Sequence, residues 1–132
     1  VTAVSKRWQG PEKHYRALKA RTLGDVHLIK VEPDLWVANM IAQSGYGYNN
    51  QNLHRTDDPD SQIPLQYDAL GACLSKLAAE ASKLSASVVC PRLGCSLAGG
   101  SWKKVEPLLN TFLVKRGVPV TVYDFPGGKF NP

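Results

Sequence analysis

The sequence predicts an α/β fold in which helices cover a central sheet. Three observations carry that prediction. β-like runs at 26–31, 35–41, 88–90 and 118–123 alternate with helical patterns in the second half of the chain. From Leu65, apolar residues recur every three or four positions (Tyr67, Leu70, Leu74, Leu77, Ala81, Leu84), while Asp68, Lys76, Glu80 and Lys83 take the opposite face. A glycine-rich stretch from Cys90 to Trp102 joins a strand to a helix, the layout in which glycines and free helix N–H groups approach an anion or simply turn the chain.

Taken in order, Val1, Val4 and Trp8 stand at helical spacing, so the chain opens in the body of a helix that Gly10-Pro11 breaks. Pro11 suits the first turn of a second helix over 12–21, with Glu12 near its start, Lys19 and Arg21 near its end, and Tyr15 and Leu18 facing inward. Gly24-Asp25 turns the chain into the 26–31 strand, and Pro33-Asp34 signals a hairpin. The 35–41 run is nearly all apolar, which predicts a strand buried on both faces. Its Asn39 is either an amide satisfied in the core or a ligand contact. Residues 44–64 are rich in Gly, Tyr, Asn, Asp and Pro, the composition of a lid, a binding loop or a disordered flap. Tyr46, Tyr48, His54 and Arg55 are its candidates for stacking on or pairing with a nucleotide. Cys73 lies on the apolar stripe of the long helix and reads as core.

Ser101 is placed to cap the last helix, whose buried face is Trp102, Val105, Leu108, Leu109, Phe112 and Leu113. Pro107 within it predicts a kink or one lost hydrogen bond. Gly117 is a helix stop, and Pro119 puts the 118–123 strand at an edge or near its own start. Residues 126–132, with two prolines and two glycines, predict a loosely ordered tail.

The chain's 132 residues suffice for one domain with a core, and 43% hydrophobic content is that of a globular protein. No apolar run reaches membrane-span length and no signal-peptide pattern opens the chain, so the expectation is a cytoplasmic protein without a membrane partner. Three cysteines without a CxxC predict reduced thiols, with no disulfide framework and no metal site; no cofactor is expected either. The net charge of +5 suits an anionic ligand or a solvated basic surface. Lys6, Arg7, Lys13, Arg16, Lys19 and Arg21 raise nucleic acid as a partner, although no recognition-helix or RNA-stacking motif accompanies them. Ligands of such sheets sit beyond the carboxyl ends of the strands. That edge collects Ala42-Gln43, the loop from Pro91 to Gly100, and Tyr123-Asp124-Phe125.

The stretch Pro91-Arg92-Leu93-Gly94-Cys95-Ser96-Leu97-Ala98-Gly99-Gly100-Ser101-Trp102, followed by Gly117-Val118-Pro119-Val120-Thr121-Val122-Tyr123-Asp124-Phe125, resembles a macro domain. It is most similar to the branch containing the terminal ADP-ribose glycohydrolases and bacterial Appr-1″-p-processing-type proteins. The resemblance implies a three-layer, macro-domain-like central mixed sheet flanked by helices over residues 1–125, lacking the N-terminal strand or strands that family members carry. It implies that Arg92, Leu93, Gly94, Cys95, Ser96, Leu97, Ala98, Gly99 and Gly100 wrap the diphosphate and distal ribose of ADP-ribose, largely through backbone amides. Gln43, Tyr123 and Phe125 would complete the pocket, with Phe125 near the adenine.

The branch's catalytic lysine falls at Gln43 or Ala42, and its catalytic aspartate at Ala98. Glutamine and alanine supply neither a nucleophilic amine nor a carboxylate, so no catalytic residue is assigned. Cys95, near a helix N-terminus, is a minor candidate nucleophile. The implied function is an ADP-ribose-binding macro domain that processes ADP-ribosyl groups, as a mono-ADP-ribosyl hydrolase or in the manner of ADP-ribose 1″-phosphate processing. The alternatives are a non-catalytic reader of ADP-ribose and, third, a basic nucleic-acid-binding domain. The implied partner is ADP-ribose or an ADP-ribosylated macromolecule.

Overall fold

The structure is a computed structural model that describes residues 2–44 and 63–132. It is mixed α/β, with helices flanking short strands. Two helices, α1 (Thr2–Arg7) and α2 (Gly10–Ala17), precede the hairpin β1 (Val26–Glu32) and β2 (Leu35–Met40). The long helix α3 (Tyr67–Lys83) leads to β3 (Val88–Cys90). Helix α4 (Trp102–Phe112) follows, then a 3-10 turn (Val114–Arg116) and β4 (Val120–Val122). The candidate residues Tyr46, Tyr48, His54 and Arg55 lie outside the described residues.

The strands pair as two ladders. β1 and β2 are antiparallel, with Val26 opposite Met40 and Lys30 opposite Trp36. β3 and β4 are parallel, with Val88 opposite Val120 and Cys90 opposite Val122. Among the described residues no ladder joins β2 to β3, which explains why β2 departs from the expected strand buried on both faces. It is half-buried along its length, exposed at Leu35, and ends at Met40 rather than Ile41. Its Asn39 side chain donates to the Pro11 carbonyl at 2.9 Å, tying the hairpin to α2 as a satisfied amide.

Helix α2 stops at Ala17, short of the expected 12–21, because Leu18 turns extended (φ −64, ψ 125). The Leu18 amide and the Arg21 guanidinium both donate to the Tyr15 carbonyl, so the chain beyond the helix satisfies its end. The α3 stripe is buried at Leu70, Cys73, Leu74, Leu77 and Ala81. Leu84, expected on that stripe, is instead exposed, because it lies beyond the last helical turn as the C-cap. Helix α4 runs through Pro107, packs on α3, and places Val105, Leu109 and its C-cap Leu113 in the buried core. β4 covers only 120–122, with the Pro119 carbonyl accepting from Val88 just ahead of it. No described helix is long and apolar enough to cross a membrane.

Candidate functional site

The loop between β3 and α4 is assembled around one buried side chain, Leu65. An antiparallel bridge sets Leu65 opposite Gln43. The Gln66 amide donates to Ala42 O at 2.8 Å and the Ser44 amide to Pro64 O at 2.7 Å, so the chain leaving β2 is bound to the segment entering α3. The Leu65 amide then donates to Ala98 O at 3.0 Å. These bonds bring Gln43 and the 92–100 loop to one edge of the molecule, and Leu65, only 3% exposed, fills the space beneath.

Two glycines let the loop close over that side chain. Gly94 has φ +69, a left-handed conformation costly for other residues, and a Cβ there would stand 2.7 Å from Leu65 Cδ2. Gly100 donates its amide to Gly94 O at 2.7 Å, and a Cβ on it would stand 2.6 Å from that same oxygen. The tip between them carries Ser96 and Leu97, whose side chain is 84% exposed, and then Ala98, which is buried. Among the described residues no acceptor meets the amides of Ser96, Leu97 or Ala98, although Cys95, Gly99 and Gly100 all find carbonyls within the loop. Consecutive unpartnered N–H groups on a turning backbone form an anion-binding concavity.

The N-terminus of α4 does not contribute in the way the strand–loop–helix layout predicts. Trp102 N–H donates to Asn131 O at 3.1 Å and Lys103 N–H to Pro132 O at 3.3 Å. Ser101 makes no side-chain cap; its hydroxyl donates to Pro132 O and its amide to the Tyr67 hydroxyl oxygen at 3.1 Å. The final residues, expected from composition to be loosely ordered, therefore occupy the helix end with their carbonyls. Asn131 also donates its backbone N–H to Cys95 O at 2.6 Å.

Arg92 is likewise engaged. Its Nε and Nη2 donate to the two carboxylate oxygens of Asp124 at 2.7 and 3.2 Å, and its guanidinium lies over the rings of Phe130 (3.8 Å to the centroid) and Trp102 (4.9 Å). A planar fork held on both oxygens and stacked on an aromatic face is a fixed group. Arg92 thus joins the start of the loop to the chain leaving β4, rather than standing as an unpaired cation.

The hydrogen bond from Arg92 holds the Asp124 carboxyl below the usual carboxylate range, against a smaller opposing effect of burial. A folded-state value below the unfolded one gives stability that is present above the unfolded value and lost as pH falls through the folded one. In thermal melts from neutral to strongly acidic pH, the contribution of this pair should persist to roughly pH 4 and fade below it. Asp124→Asn should melt slightly lower at neutral pH and show a weaker acid dependence. Equal acid sensitivity in the two proteins would count against the pairing.

Cys95 is 1% exposed, donates Sγ to Leu93 O at 3.3 Å, and has its thiol pushed up by burial, with only partial relief from Arg92. Burial likewise pushes Cys90 up to about 11. The candidate nucleophile at Cys95 therefore fails on access and on ionisation alike. Its side chain is a peg holding the loop to the core. Tyr123 and Phe125 are 63% and 70% exposed just past β4, available to a planar ligand but not enclosing one. A shallow hollow lined by Ser82, Ser85, Ser87 and Pro119 lies at the other ends of β3 and β4 and has no titratable side chain in its lining. Among the described residues no cluster of three or more His, Cys, Asp or Glu side chains is arranged to hold a metal ion.

Several residues that shape the site carry no sequence signal. Leu65 and Tyr67 look like the start of a helix stripe. Phe130 and Asn131 look like tail. Asp124 alone stands at the edge that the strand order marks out, and its pairing with Arg92, 32 residues earlier, comes only with the fold.

No family model matches the chain. Among solved structures, it is similar to a macrodomain protein from Streptomyces coelicolor, at 43% identity and a TM-score of 0.70 over 95% of this chain and 76% of that one. It is also similar to a protein of unknown function from Bacteroides thetaiotaomicron, at 38% identity and a TM-score of 0.79 over 94% of this chain and 76% of that one. The chromodomain-helicase-DNA-binding protein 1-like of Mus musculus is 31% identical over 97% of this chain, which spans only 14% of the mouse protein's length.

Proposed function

The chain belongs to the macrodomain family, and from that premise we propose that it binds ADP-ribose, with the diphosphate seated on the 96–98 backbone. One observation carries the reading: the three consecutive amides of Ser96, Leu97 and Ala98 have no acceptor among the described residues. They sit on a glycine-hinged loop beside Gln43 on one side and, through Arg92, Asp124 on the other. Backbone donors of this kind suit phosphoryl oxygens and need no basic side chain. This accounts for a phosphate loop whose one arginine is committed elsewhere. Exposed Tyr123 and Phe125 offer aromatic faces for the base.

Processing of ADP-ribosyl groups, by a mono-ADP-ribosyl hydrolase or on ADP-ribose 1″-phosphate, would need water as the nucleophile. Neither Gln43 nor Ala98 is a base or nucleophile, Cys95 is buried, and Asp124 is paired. The same facts favour a second reading, a module that holds ADP-ribose on a modified macromolecule without cleaving it.

Calorimetric titration of the full chain with ADP-ribose tests binding, with one-to-one saturation expected. Absence of binding overturns the proposal. Incubation with an ADP-ribosylated protein and with ADP-ribose 1″-phosphate then separates the two activities. Release of product supports the hydrolase, whereas binding without release supports the reader.

A further inference from the structure

We propose that Asn131, seated by Phe130, is a positioning residue that aims the amides of the 96–98 loop outward; for its consequence in binding, this rests on the ADP-ribose reading above. Asn131 makes three donations to the loop. Its backbone N–H goes to Cys95 O at 2.6 Å, and its side-chain Nδ2 to Ser96 O at 3.4 Å and Gly100 O at 3.1 Å. A primary amide carries two N–H donors, enough for one to each side-chain partner.

The effect follows from peptide geometry. In a planar trans peptide the carbonyl of one residue and the N–H of the next point in opposite directions, and no cis peptide occurs among the described residues. Holding the Cys95 carbonyl toward Asn131 turns the Ser96 N–H away from the tail. Holding the Ser96 carbonyl does the same to the Leu97 N–H, and Gly99 N–H, donating to that oxygen at 3.0 Å, reinforces it. The third donation follows the same geometry: the Gly100 carbonyl goes to Asn131, and the Ser101 N–H of that peptide goes to a different partner, the Tyr67 hydroxyl, at 3.1 Å. Two of the three amides assigned to the anion are therefore aimed from behind by one side chain and its own backbone. Phe130, stacked on the Arg92 guanidinium, keeps that residue in register with the loop.

Asn131→Asp tests the donor rather than the shape. The carboxylate is nearly isosteric and keeps the backbone donation, but it only accepts, so it repels the Ser96 and Gly100 carbonyls. Asn131→Ala removes the same donor without adding charge. With both variants folded, as judged by circular dichroism, the amide resonances of Ser96 and Leu97 should move, and ADP-ribose affinity should fall about five- to tenfold. A merely structural contact would lower the melting temperature yet leave those resonances and the affinity of the folded protein unchanged. That outcome overturns the proposal. If the wild-type chain fails to bind ADP-ribose, the binding reading falls separately, and the resonances alone decide the proposal. Displaced Ser96 and Leu97 signals uphold the aiming role, and unmoved signals overturn it.

Discussion

Gly100→Ala is expected to unseat the loop, lowering the melting temperature by about 10 °C and abolishing measurable ADP-ribose binding. The added Cβ has no exit. It would stand 2.6 Å from Gly94 O, a backbone atom, and would also run into the Leu65 side chain, which is 3% exposed. Gly94 O is the acceptor for the Gly100 amide at 2.7 Å, so displacing it breaks the bond that closes the loop. Overpacking costs about 1–3 kcal/mol where side chains can yield, and a backbone obstacle places this change at or above the upper end. The proposed donors are backbone amides, so a distorted loop would keep its residues and still lose the direction of those donors. Thermal melting together with calorimetry reads both effects. A variant with wild-type melting and affinity would show that the Gly94–Gly100 closure does not govern the site.

The legible part of this molecule is the part written in local patterns. The α3 stripe, the α4 face and the β3–loop–α4 order all follow from periodicity and glycine placement, and the structure keeps them apart from Leu84 at the end of the stripe. The site's wiring is not local. Leu65 satisfies the helix period whether or not it plugs a loop some thirty residues away in sequence. Asn131 lies in a segment whose composition argues against order, yet it meets three carbonyls of that loop. The family resemblance makes Arg92 a phosphate ligand, and only the fold reveals that Asp124 takes both ends of its fork. Sequence patterns report which face of an element is buried; they do not report which polar groups a segment distant in sequence will use up. The free helix terminus expected at Trp102 failed for that reason, and the anion reading moved from the helix to the loop amides.

Leu65→Ala should destabilise the protein by about 2–5 kcal/mol, the range for emptying a buried leucine site that cannot collapse. Collapse is hindered here because the surrounding atoms are backbone-bound. The Leu65 amide holds Ala98 O, the residue bridges to Gln43, and Gly94 and Gly100 pass directly over its side chain. The loop should stay closed through the Gly100–Gly94 bond but lose its floor, so affinity measured well below the melting point should also fall. The sharper measurement is the coupling between this site and the two glycines. All three atoms nearest a Cβ at Gly94 belong to the Leu65 side chain beyond its own Cβ, at 2.7, 2.9 and 3.2 Å. Gly94→Ala should therefore be much less costly in a Leu65→Ala background, by about 1–2 kcal/mol, leaving mainly the strain of φ +69. Gly100→Ala should be rescued far less, because the Gly94 carbonyl remains in its path at 2.6 Å. Equal rescue at both positions would mean that Leu65 alone sets the loop's height. Unequal rescue, as expected, would place the limit at Gly100 in the backbone itself, on the same oxygen that accepts the Gly100 amide and closes the loop.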